Sequence, residues 1–151
     1  MAQRTVDVHN HWYPPEYLEH LKSRTEAPRV QQTGETSFVA LAAGDIRVAH
    51  IDRPGHYDLE ARIRDMNAAG LDTQIMSQTI PGPEALPQEE GVYWAQKIND
   101  AYAKAVQDYP GRFYAMANLP YQDPDAAAKE GDQSFPRQDR YDPGQECRET
   151  L

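Results

Sequence analysis

The stretch TVDVHNHWYPPEY, residues 5–17, decides how the rest of the chain is read. Val6 and Val8 alternate with Asp7, His9 and His11, and a period of two marks a β-strand. On an unbroken strand Val6 and Val8 form one face, and Asp7, His9 and His11 form the other. Pro14 and Pro15 then end the strand. Proline is tolerated in a first helical turn, so residues 16–23 are expected to form a short helix. Two imidazoles at i and i+2 project from one side, where they can chelate a single divalent cation as neutral nitrogen ligands suited to zinc, iron or manganese. Asp7 lies one step deeper on that face, either supporting the ligands or as a polar residue near the floor of a barrel. An isolated His-x-His is often only a pair of surface side chains. Its place at the end of an apolar strand, followed by an aromatic–proline turn, favours the metal.

Further along, residues 26–53 carry a weak pattern in which a hairpin turning at Ala43, Gly44 and Asp45 is expected. Leu59, Ile63 and Met66 then mark a helix face, and Gly70 is a C-terminal cap. LDTQIMSQT reads as a second strand, and the proline- and glycine-rich IPGPEALPQEEG as a loop. Trp94, Ile98, Ala101, Tyr102 and Ala105 space out a long helix that YPGR terminates, and RFYAMANLP is a third strand. QDPDAAAKE opens a helix that Asp123 caps, with Pro124 at its first position. Strand and helix alternate, so the fold class is α/β with a parallel sheet. Periodicity does not distinguish an open sheet from a closed barrel.

Composition bounds the function. The 151 residues carry a formal charge of -9 and a pI near 4.9. Nucleic-acid binding needs clustered Lys and Arg, so no nucleic-acid partner is expected. One cysteine, Cys147, excludes an intrachain disulfide and fits a reducing compartment. The start MAQRTVDVHN lacks the apolar run of a signal peptide, and no stretch is long enough to cross a membrane. A soluble cytoplasmic protein without a membrane partner is expected.

Beyond Glu130 the pattern changes. GDQSFPRQDRYDPGQECRETL has few apolar residues, no period and mixed charge, and it reads as a disordered tail. Residues 1–130 are therefore expected as one structural unit and 131–151 as the tail. The abrupt change in composition further leads to the expectation that the reading frame is lost near Glu130.

VDVHNHWYPPEYLEHL resembles the opening of the amidohydrolase-related superfamily. The nearer likeness is to the branch of 2-amino-3-carboxymuconate semialdehyde decarboxylase and related aromatic-acid decarboxylases. It continues through YDLEARIRDMNAAGLDTQIMSQT and AQKINDAYAKAVQDYPGRFYAMANLPYQDPDAAAKE, and is faintest over residues 26–53. This resemblance implies a distorted TIM barrel with one divalent metal ion, usually Zn2+, for which His9 and His11 are ligands. It implies a small-molecule carboxylate substrate and commonly a homodimer. It also implies an arginine holding the substrate carboxylate; Arg47 is the candidate, and Arg53 competes for the role. Arginines in such positions are more often solvated loop residues.

A TIM barrel takes about 250 residues, so the chain is expected to supply the N-terminal part, about three of eight βα units. The family's third histidine ligand, catalytic histidine and aspartate have no counterpart here. All five histidines fall at or before His56, and His20, His50 and His56 are expected to face solvent. Three readings stay open: a metal-dependent decarboxylase of an aromatic or unsaturated carboxylic acid, inactive alone; a metal-dependent hydrolase of an amide, ester or lactone; and a non-catalytic half-barrel. A different α/β domain, its histidines only lining a polar cleft, is a duller fourth.

Overall fold

A computed structural model describes residues 4–134. Cys147 and nearly all of the expected tail lie outside them. The elements run β1 (Val6–His11), α1 (Pro15–Ser23), β2 (Arg29–Gln32), β3 (Phe38–Ala42), β4 (Ile46–Ile51), α2 (Leu59–Ala69), β5 (Thr73–Ser77), α3 (Gln88–Asp108), β6 (Phe113–Ala115) and α4 (Pro124–Ser134).

β1, β5 and β6 form a parallel sheet in that order. Parallel neighbours need long crossover connections. α1, the small second sheet and α2 make the first crossover, and α3 makes the second. α2 has well-defined ends. The Asp58 side chain accepts from the amides of Glu60 and Ala61, and Gly70, at φ 69°, closes the helix in the left-handed conformation that glycine adopts freely. α4 starts as expected, with the Ala126 amide donating to Asp123 Oδ1 at 2.9 Å. It runs on through Gly131 to Ser134, held by Asn99 Nδ2, which donates to Glu130 Oε1 at 2.7 Å.

The hairpin expected in the weak segment is present as β3 and β4, turning through residues 43–45. A third strand, β2, pairs antiparallel with β3. β2 has one buried residue, Val30, too faint a pattern to mark a strand.

One face of the parallel sheet carries the core. Met76 and Phe113 are fully buried against Met66, Ile98 and Tyr102. Enclosing a side chain of this size contributes about 1.5–3 kcal/mol. Apolar side chains on β1, on β6 and just past it remain open to solvent: Val6 is 47% exposed, Val8 63%, Tyr114 52% and Met116 50%.

Candidate metal centre

β1 does not keep the regular alternation its sequence implies. Val6 pairs with Thr73 and Asp7 with Gln74, but the next partners are Asn10 with Met76 and His11 with Ser77. Val8 and His9 together face Ile75, which is a β-bulge, and bulges re-aim side chains near functional sites. Asp7 therefore does not share the histidine face. Its Oδ2 accepts from Gln74 Nε2 at 2.9 Å, and Gln74 Oε1 accepts from Arg62 of α2 at 3.0 Å, so Asp7 sits on the helix side. Its other oxygen accepts the His9 amide at 3.0 Å and braces the bulge.

His9 and His11 stay together. Their ring centroids are 5.3 Å apart with the planes at 81°. His11 Nδ1 lies 3.0 Å from Ser77 Oγ, and that hydroxyl donates to the Asn10 carbonyl at 3.0 Å. From the other side, buried Arg62 fastens the strand. It donates to the His11 carbonyl, to Asn10 Oδ1 at 2.9 Å and to the Gly55 carbonyl at 2.7 Å. Past the histidines, Trp12 and Tyr13 are buried. The Tyr13 hydroxyl donates to the Ile80 carbonyl at 2.6 Å, and the Trp12 carbonyl accepts from Tyr102 at 2.8 Å. The aromatic turn after the strand is thus an anchor for its end.

Burial lowers the pKa of His11 below its ordinary value of 6.5, and positive charge on His9 and Arg62 acts the same way, opposed by a hydrogen bond to the Ser77 backbone. The shift favours the neutral ring, the state a metal ligand requires. His56 behaves alike: burial lowers its pKa first, Asp52 opposes, and Arg62, Arg53 and His11 add to the lowering. His56 is half-buried and within electrostatic reach of His11, not turned to solvent as expected. Its Nδ1 is buried without a hydrogen bond, the Asp52 carboxylate being 3.9 Å away.

The loops following β5 and β6 enclose a cleft of about 380 Å³, lined among others by Ser77, Gln78, Thr79, Ile80, Met116 and Asn118. Ser77 joins it to the histidine pair. The cleft therefore opens at the carboxyl ends of the strands, where α/β barrels place their chemistry.

The donor set fits a divalent cation in kind: two imidazoles, one of them held by Ser77 and shifted toward its neutral form. Among the described residues no group of three or more His, Cys, Asp or Glu is placed to hold a metal, so the pair is part of a coordination shell. Arg47 is exposed on β4, paired with Leu41. No hydrogen bond or ion pair among the described residues ties it to the histidines. His20 is not solvent-facing either: it stacks on Trp94 at 4.6 Å, with Nε2 2.7 Å from Glu90. Ser77, Arg62 and His56 escape a reading of the sequence. Nothing in their residue type or spacing marks them, because strand pairing and helix packing bring them to β1.

No family model matches the chain. Over 72 residues it is 39% identical to gamma-resorcylate decarboxylase of Rhizobium radiobacter, covering 47% of this chain and 22% of that protein. To 2-amino-3-carboxymuconate-6-semialdehyde decarboxylase of Dictyostelium discoideum it is 34% identical over 77 residues, covering 49% and 21%. The chain is a homologue of these decarboxylases over part of their length. It spans about a fifth of each. Among solved structures, it matches 5-carboxyvanillate decarboxylase of Novosphingobium aromaticivorans, complexed with manganese and 4-hydroxy-3-methoxy-5-nitrobenzoic acid, at TM-score 0.62. That match has 28% identity and covers 84% of this chain and 37% of the other. The apo IDCase of Metarhizium anisopliae shares the fold at TM-score 0.72 and 20% identity, over 86% of this chain and 39% of that one. The fold is thus that of the TIM-barrel amidohydrolase decarboxylases over part of their length, as the resemblance in β1 implied. Among the described residues, no helix is long and apolar enough to cross a membrane.

Proposed function

We propose that the chain forms part of a metal-dependent decarboxylase of an aromatic or unsaturated carboxylic acid, with His9 and His11 as two ligands of a divalent cation. The observation that carries this reading is the pair of imidazoles, 5.3 Å apart, at the carboxyl end of β1, beside the cleft that follows β5 and β6. Similarity to gamma-resorcylate decarboxylase and to 2-amino-3-carboxymuconate-6-semialdehyde decarboxylase favours carbon dioxide loss over hydrolysis. When bound, a divalent cation supplies positive charge that draws substrate oxygens and stabilises negative charge as it develops. The chain's own residues do the rest of what this part of the site can do. Arg62 and Ser77 hold the histidine strand in place beside the cleft. Arg47, with Arg53 as its competitor, is the proposed holder of the substrate carboxylate.

Zinc is the metal the family resemblance implies, and manganese is the ion in the matched 5-carboxyvanillate decarboxylase structure, so both belong in the test. Residues 1–130 as one barrel portion, the cytoplasmic location and the homodimer are parts of the same proposal. A non-catalytic half-barrel is the second reading. It draws on the exposure of Val6, Val8, Tyr114 and Met116.

The deciding experiment titrates the purified chain with Mn2+ and Zn2+ and assays it with 2,6-dihydroxybenzoate. One metal site per chain, lost in both His9→Ala and His11→Ala, supports the metal reading. Absence of any site that these substitutions remove overturns it. Little or no turnover is expected from the chain alone, since two ligands do not complete a site.

A further inference from the structure

We propose that Ser77 is a positioning residue that fixes the neutral tautomer of His11, placing the proton on Nδ1 and leaving Nε2 bare. The hydrogen-bond geometry around Ser77 favours it. Ser77 Oγ lies 3.0 Å from both the Asn10 carbonyl oxygen and His11 Nδ1. A carbonyl only accepts, and a serine hydroxyl has one proton. That proton points to the Asn10 carbonyl oxygen, which cannot donate in return. The hydroxyl then offers lone pairs to the imidazole, so Nδ1–H donates.

The arrangement is built into the fold. Ser77 and His11 are register partners in the parallel pairing of β5 with β1, and the Trp12 amide donates to the Ser77 carbonyl at 3.2 Å. Arg62 holds the His11 carbonyl from the opposite side, so ring and backbone are each fastened. An unrestrained neutral imidazole exchanges its proton between the two nitrogens. Here the exchange is biased, and Nε2 is the nitrogen available for coordination.

The functional consequence rests on the proposed metal site; the tautomer does not. Nitrogen-resolved NMR of the imidazoles in the metal-free chain, at about pH 8 where histidine is neutral, reads the tautomer directly. In the unmutated chain His11 is expected as Nδ1–H with Nε2 bare. Ser77→Ala is expected to shift that population, and Ser77→Thr, which keeps the hydroxyl, to restore it. A predominant Nε2–H form in the unmutated chain overturns the proposal, as does an unchanged population in Ser77→Ala. Titration with Mn2+ or Zn2+ adds the consequence: Ser77→Ala is expected to weaken binding by about 10-fold or more, and Ser77→Thr by much less. If the tautomer is as proposed and neither ion binds, Ser77 keeps its role on His11 and the metal reading is the one that fails.

Discussion

Arg62 Nη1 sits 2.9 Å from Asn10 Oδ1, so a buried guanidinium on α2 holds the residue between His9 and His11. It also serves Gln74, Gly55 and the His11 carbonyl. One side chain thereby connects the strand that carries the imidazoles, its sheet neighbour β5 and the turn before α2.

Replacing Arg62 by Met therefore leaves several buried acceptors unpaired, at a cost of roughly 3 kcal/mol. Lysine keeps the charge but lacks the planar fork, so Arg62→Lys is expected to recover only part of the loss. Urea unfolding measures both. A midpoint unchanged in Arg62→Met would show that the network contributes nothing net.

Acid is expected to weaken the fold as His11 and His56 gain protons. Burial holds both groups below 6.5 in the folded chain, so between their folded values and 6.5 the unfolded chain binds more protons. The stabilisation is complete above about pH 6.5 and is lost as pH falls through the folded values. Histidine titration by NMR, with unfolding measured across the same range, checks the sign. Midpoints above 6.5 for both residues would refute it.

Glu90 joins α1 to α3. Its Oε1 lies 2.5 Å from Arg24 Nη1 and 2.7 Å from His20 Nε2, and all three side chains are largely shielded from solvent. Glu90→Ala should lower stability by about 1–2 kcal/mol. A double-mutant cycle with Arg24→Ala should return a coupling near 1 kcal/mol, and zero coupling would make the contact incidental.

The exposed apolar side chains of β1 and β6 should drive self-association. Val8 is 63% exposed and Tyr114 52%, and exposed apolar surface on a sheet seeks cover. Val8→Glu and Tyr114→Glu should reduce the scattering of concentrated samples while moving stability by about 0.5 kcal/mol or less. Scattering equal to that of the unmutated chain would place the sticky surface elsewhere.

Much of this protein is legible before any coordinates. Alternation in VDVHNH marks β1, the Leu59, Ile63 and Met66 spacing with Gly70 marks α2, and Asp123 with Pro124 marks the start of α4. These signals are local, depending on periods of two and 3.6 and on capping chemistry within a few residues. β2 escaped because Val30 alone is buried in it.

What the sequence by itself determined is the pair of histidines on a strand and the alternation of parallel strands with helices around it. The tertiary structure alone decided which groups face that pair. The bulge opposite Ile75 turned Asp7 toward α2. Pairing in register brought Ser77 to His11 across 66 residues, and helix packing sent Arg62 beneath the strand. A period describes where a side chain points relative to its own backbone. Which partner waits there depends on contacts distant in the chain, and no local pattern encodes them.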